Sequence, residues 1–147
     1  MRKFILLTVV LFLSYQTYSQ STLTPVSDWT VVTTDATDVT IYKRDVKKTD
    51  QKNDSNNLYE QYRFENNSNS DVFINWNFTM KYSNIATETV PGEENYRALY
   101  LAKNQNFIPD YFSSNEKLFF VFKSFLNNKS DAKLESCRLD NLTIKIL

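Results

Sequence analysis

The chain has no histidine, one cysteine, one glycine and three prolines in 147 residues, and each shortage closes off a class of function. Without histidine, most zinc sites and every histidine-based catalytic triad are excluded. Cys137 stands alone, so no intrachain disulfide can form and packing must hold the fold; such a thiol is expected to be buried and inert. A single glycine, Gly92, cannot build a phosphate-cradling loop. No apolar run approaches the roughly 20 residues that a membrane-spanning helix needs.

Charge is balanced as well, with 17 basic and 17 acidic residues. Phosphate backbones are bound by basic stripes, so this balance argues against nucleic acid and against anionic membrane surfaces. A pair of carboxylates could in principle cleave a glycoside, but nothing distinguishes Glu60, Glu65, Glu93, Glu94 or Glu116 as such a pair. The expectation is a protein without catalytic residues, metal or cofactor.

The first residues carry an address. Arg2 and Lys3 form a short positive segment, Phe4–Leu13 is apolar apart from Thr8, and Thr17 and Ser19 are small residues at the positions a signal peptidase reads. This predicts a secretory leader over 1–19, cleaved after Ser19, with the mature protein in the periplasm or at the cell exterior. Residues 20–147 then form one domain, large enough for a core. Losing Arg2 and Lys3 leaves 15 basic against 17 acidic residues, a net charge of −2. Abundant Asn, Lys, Ser, Phe and Tyr match the coding bias of an AT-rich bacterial genome. In that setting the sequons at Asn53, Asn66, Asn77, Asn128 and Asn141 are coincidences of an Asn-rich chain.

What the chain does contain is alternation. In Asp71–Tyr82, residues Val72, Ile74, Trp76, Phe78, Met80 and Tyr82 share one parity, whereas Asn75, Asn77, Thr79 and Lys81 share the other. A period of two is a strand with one face in a core and one in water. An apolar sheet face needs a covering layer, so the predicted fold is all-β: a single antiparallel sandwich, immunoglobulin-like or jelly-roll-like, of about seven or eight strands.

Other strands are predicted at Trp29–Thr33, Val39–Arg44, Leu58–Glu65, Tyr96–Ala102, Leu118–Leu126, Leu134–Leu139 and Leu142–Leu147. Tyr96–Ala102 and Leu118–Leu126 are apolar on both parities and read as covered strands. The apolar parity switches between Leu139 and Leu142, which a bulge at Asp140-Asn141 would reconcile. Ser21–Asp28 reads as a loosely held extended leader. The Asp45–Asn57 segment reads as a solvated mobile loop, and its alternative as a calcium loop lacks the spacing and the glycine that loop needs. Asn66–Ser70 reads as a hairpin connection pairing Glu65 with Asp71, which places Phe64 beside Val72 and Tyr62 beside Ile74. In that register Glu60 is the odd carboxylate on an apolar face, expected near an edge or bonded to the Trp76 indole. Pro91-Gly92 reads as a type II turn.

Aromatic rings beside amides suit a binding surface. The candidate binding residues are Tyr59, Glu60, Asn75 and Asn77 on the expected hairpin, and Tyr96, Phe107, Tyr111 and Phe112 in long connections. The leading expectation is a non-enzymatic extracytoplasmic protein-interaction module. The alternative is a carbohydrate-binding module using exposed aromatics on an envelope polysaccharide. No immunoglobulin-type Cys…Trp…Cys spacing is present.

Overall fold

A computed structural model describes residues 21–127 and 132–147. The expected leader with its expected cleavage after Ser19, and positions 128–131 of the expected Asn127–Ala132 turn with the sequon at Asn128, lie outside the described residues. Among the described residues nine strands follow in chain order: β1 (Ser21–Pro25), β2 (Thr30–Thr34), β3 (Val39–Asp50), β4 (Ser55–Asn66), β5 (Val72–Tyr82), β6 (Tyr96–Leu101), β7 (Asn106–Phe107), β8 (Phe120–Phe125) and β9 (Leu134–Ile146). They form two antiparallel sheets packed against each other, an all-β sandwich. In the larger sheet β3 and β4 are central, with β1 and β2 both pairing β3 and with β7 and β8 both pairing β4. The smaller sheet has the order β6-β5-β9. Among the described residues no helix is long and apolar enough to cross a membrane.

The alternation of β5 resolves on its core face, where Val72, Ile74, Trp76 and Phe78 are buried, whereas Asn77 and Thr79 of the face expected in water are buried as well, held by hydrogen bonds to the Gly92 carbonyl and the Asp140 carboxylate. Facing the core residues of β5 are Val39 and Ile41 of β3, Tyr62 and Phe64 of β4, and Val121 of β8, all buried. Rings bridge the layers, with Phe64 and Trp76 centroids 4.8 Å apart and Tyr62 and Phe78 centroids 5.0 Å apart. Phe119, at the end of a 3-10 helix over Glu116–Phe119, closes one side at 5.8 Å from Trp76. Arg97 of β6 ties the layers at that side, donating from Nε to the Leu118 carbonyl at 2.8 Å.

The Asn66–Ser70 connection is not a hairpin. β4 pairs β3, β7 and β8, whereas β5 pairs β6 and β9, so the connection carries the chain from one sheet to the other. Asn66 organises this arch from a fully buried position. Its Nδ2 donates to the Ser70 and Ala102 carbonyls, and its Oδ1 accepts from the Ser68 backbone and hydroxyl. The residues placed side by side by the expected register therefore face each other across the core instead. Their inward parity is unchanged, because hairpin and arch impose the same requirement for one apolar face.

Other departures share a cause: backbone pairing recruits polar segments that hydropathy alone assigns to water. Asp45–Asn57 is not a mobile loop; β3 and β4 pair in register from Asp50↔Ser55 inward, leaving only 51–54 as the turn. The Asp50 carboxylate accepts from the backbone of Lys52 and Asn53 and from Asn53 Nδ2, which fastens the turn. Ser21–Pro25 is not loose, because it adds to the far end of β3 as β1. Leu118–Leu126 is not a central covered strand. Its first residues are helical, and β8 pairs β4 on one side with only a Ser124–Lys133 bridge outside the named strands. β6 is an edge strand with Tyr96, Ala98 and Tyr100 exposed, not a doubly buried one. Gly92 has φ −166° and ψ 178°, extended backbone that rules out the type II turn at Pro91-Gly92.

The bulge is where the parity switch predicted it. The β5–β9 register jumps between Asn75↔Thr143 and Asn77↔Asp140, and Asn141 takes a left-handed φ of 54°. Asn tolerates that conformation better than a branched residue would.

With no disulfide, core packing sets the stability. Phe64→Ala is expected to lower the unfolding free energy by about 3–5 kcal/mol, measured by urea titration. A loss under about 1 kcal/mol would mean the contact across the sheets does not hold them together.

Candidate functional site

The structure separates the eight candidate residues. Tyr59 and Tyr111 meet on the outer face of the larger sheet, with centroids 5.1 Å apart and the Tyr111 hydroxyl donating to that of Tyr59 at 3.1 Å. Phe112 extends that group outward, 54% exposed and 5.8 Å from Tyr111. Phe107 belongs to the core margin, edge-on to Phe119 at 5.4 Å. Asn75, Asn77 and Tyr96 lie on the outer face of the smaller sheet, on the opposite side of the sandwich from Tyr59. Asn77 is committed to structure there, buried with its Nδ2 donating to the Gly92 carbonyl. Asn75 accepts from Thr143 Oγ1 at 2.8 Å.

Glu60 lies inside the sandwich. Lys43 Nζ reaches Oε1 at 3.0 Å, and the Tyr62 hydroxyl donates to Oε2 at 3.0 Å. The expected bond to the Trp76 indole is not made, and Trp76 Nε1 has no hydrogen-bond partner. The Tyr62 hydroxyl also lies 3.4 Å from Cys137 Sγ. Burial first, then the neighbouring Cys137 and Glu60, push the Tyr62 phenol well above its ordinary value. These groups satisfy one another, as buried polar groups must. Nearby, Lys123 pairs with Asp45 at 2.7 Å, so the inner charges come in neutral pairs.

A different group of side chains gathers on the outer face of the larger sheet. Tyr42 and Arg44 alternate outward from β3, and Gln61 and Arg63 alternate outward from β4; the register pairs Tyr42 with Arg63 and Arg44 with Gln61. Trp29, one residue before β2, folds over them. The Arg44 guanidinium lies 4.2 Å from the Trp29 ring centroid and that of Arg63 lies 5.2 Å from it. Arg63 also stacks on Tyr42 at 3.9 Å. Gln61 anchors the floor, accepting from Arg44 Nε at 2.8 Å and donating to the Pro109 carbonyl at 2.9 Å. Further along, Lys48 lies 5.0 Å from the Tyr111 centroid, which joins this row to the Tyr59–Tyr111 pair.

The smaller sheet presents a second exposed row. Tyr96, Ala98 and Tyr100 point outward from β6, and Tyr100 is fixed by its hydroxyl donating to the Asp71 carboxylate. That acceptor raises the Tyr100 phenol and lowers the Asp71 carboxyl.

Trp29, Tyr42, Arg44 and Arg63 were not among the residues singled out from sequence. The signal available was the outward parity of Tyr42 and Arg44 in one strand and of Arg63 in the next. Without the β3–β4 register it did not bring them together. No protein-family model, no curated protein and no solved structure matches the chain. Among the described residues no cluster of histidine, cysteine, aspartate or glutamate could hold a metal ion.

Burial pushes the Cys137 thiol up to about 11 from 9.0, opposed in part by the Tyr62 hydrogen bond. Its folded-state value is raised, so the associated stabilisation is complete below pH about 9 and is lost as pH rises towards 11. Cys137 is therefore expected to resist an aromatic disulfide reagent at pH 8 in the folded protein and to react fully once unfolded. Reaction of the folded protein at the rate of a free thiol would contradict this environment.

Proposed function

We propose that this chain is a non-enzymatic, extracytoplasmic protein-interaction module that binds through the outer face of its larger sheet. The observation that carries this reading is the Tyr42–Arg63–Trp29–Arg44 row, built on two central strands with each of the four side chains half-buried, beside the part of the face that the Pro109–Tyr111 segment covers. Trp, Tyr and Arg are the residue types that dominate interface hot spots, because each buries a large rigid surface while keeping directed hydrogen bonds. Strands hold these side chains in fixed register, which lowers the entropy lost on binding. The charged, apolar and small-residue pattern over 1–19, which predicts a leader, supports the extracytoplasmic location, and the absence of any histidine in the chain supports a non-enzymatic role.

The second reading, a carbohydrate-binding module, is favoured by Tyr96 and Tyr100 exposed on one strand face beside Asn75. Rings offer sugar faces a stacking surface, and the amide serves hydroxyls.

A photo-crosslinking amino acid distinguishes the two. Val31 is 60% exposed and pairs with Tyr42 on the outer face of the larger sheet, whereas Tyr100 marks the other side. Crosslinking in intact cells is expected to give a discrete, protease-sensitive adduct from position 31 and none from position 100. Protein adducts absent from position 31, together with glycan binding lost in Tyr96→Ala and Tyr100→Ala, would move the function to the smaller sheet.

A further inference from the structure

The row on the larger sheet is short of negative charge. Arg44 has no carboxylate partner among the described residues, and Arg63 reaches only Glu65, at 3.5 Å. Lys48 adds a third cation on the same side, also without an ion pair among the described residues. Two guanidinium groups thus share one indole while a single distant carboxylate offsets them. A fold that needed only a stack would gain from an acid beside Arg44.

The donors are equally under-used. Arg44 gives Nε to Gln61, and no acceptor among the described residues takes its terminal nitrogens. Arg63 Nε is buried and unpartnered. Stacking against rings uses the flat faces of a guanidinium and leaves in-plane N–H groups for an incoming oxyanion: both terminal nitrogens of Arg44, and on Arg63 the terminal nitrogens rather than the buried Nε. Desolvation first, then the charge of Arg63, lowers the Arg44 guanidinium from its ordinary value, the direction that a neighbouring anion would offset.

We infer that the partner bound on this face presents an acidic segment, with an Asp or Glu carboxylate received by Arg44 and a second one met by Arg63. This deepens the protein-interaction reading and rests on it. A carboxylate held by a preorganised guanidinium fork makes two parallel charge-assisted bonds, which fixes orientation as well as strength. Trp29 supplies the adjacent apolar contact. Lys48, two residues beyond Val46 on the same strand face, extends the positive track along β3 for a segment lying on the sheet.

Titration of the purified chain with poly-L-glutamate tests the chemistry directly. Trp76 is fully buried, so a change in fluorescence reports Trp29. Saturable binding is expected, weakened at least about tenfold by Arg44→Ala, weakened by salt, and unchanged by Lys145→Ala on the other sheet. If Arg44→Ala does not fold, Arg44→Lys keeps the charge but loses the fork, and a clear weakening is still expected. No saturable binding, or equal binding by the Arg44 variants, overturns the inference. Binding of polygalacturonate without binding of poly-L-glutamate overturns it too, in favour of an acidic glycan. A protein crosslink from position 31 alongside failed poly-L-glutamate binding would remove the acidic segment and leave the interaction reading standing.

Discussion

The contact of Phe64 with Trp76, and beside it of Tyr62 with Phe78, is what the rest of the molecule depends on. A chain with one cysteine has no intrachain disulfide to join its layers. Apolar surface must then do most of the work of holding the two sheets, and the largest buried side chains are these rings. Burial of an aromatic side chain removes on the order of 150–250 Å² from water. The polar residues at the same interface are arranged so as not to oppose it. Glu60 is met by Lys43 and Tyr62, and Asn66 bonds the arch that takes the chain from one sheet to the other.

That arrangement gives the larger sheet two faces of different composition. Inward, β3 and β4 present Val39, Ile41, Tyr62 and Phe64 to the core. Outward, the same strands present Tyr42, Arg44 and Arg63, with Trp29 laid over them. The inner charges are paired, as with Lys123 and Asp45; Arg44, on the outer face, has no carboxylate partner among the described residues. Residues that contribute to binding are commonly those that a fold optimised for stability alone would replace.

How much of this was legible in the sequence depended on whether the signal was local. The Val72–Tyr82 alternation is a property of one strand, and it gave the core face correctly. The parity switch between Leu139 and Leu142 was equally local and gave the bulge at Asn141. Pairing partners are not local. Asn66–Ser70 has the composition of a hairpin turn and of an arch alike, and only the competition of β3, β7 and β8 for the edges of β4 decides between them. The polar second half of β3 looked like loop because its strand character comes from pairing with β1 and β4, not from hydrophobicity. The candidate site suffered most. Tyr59 was expected beside Asn75 and Asn77, but the arch puts them on opposite sides of the sandwich. Arg44 and Arg63 gain their meaning only from a register in which Trp29 reaches both.

The most direct measurement of the proposed division of duties is the unfolding free energy of Arg44→Gln. If the outer row is held for a partner and the inner rings hold the fold, the change is within about 1 kcal/mol of the parent, and a small gain is consistent with relief of the Arg44–Arg63 repulsion. A loss of about 3 kcal/mol or more, the scale of emptying a core position, would make the row part of the scaffold and contradict its assignment as a binding face.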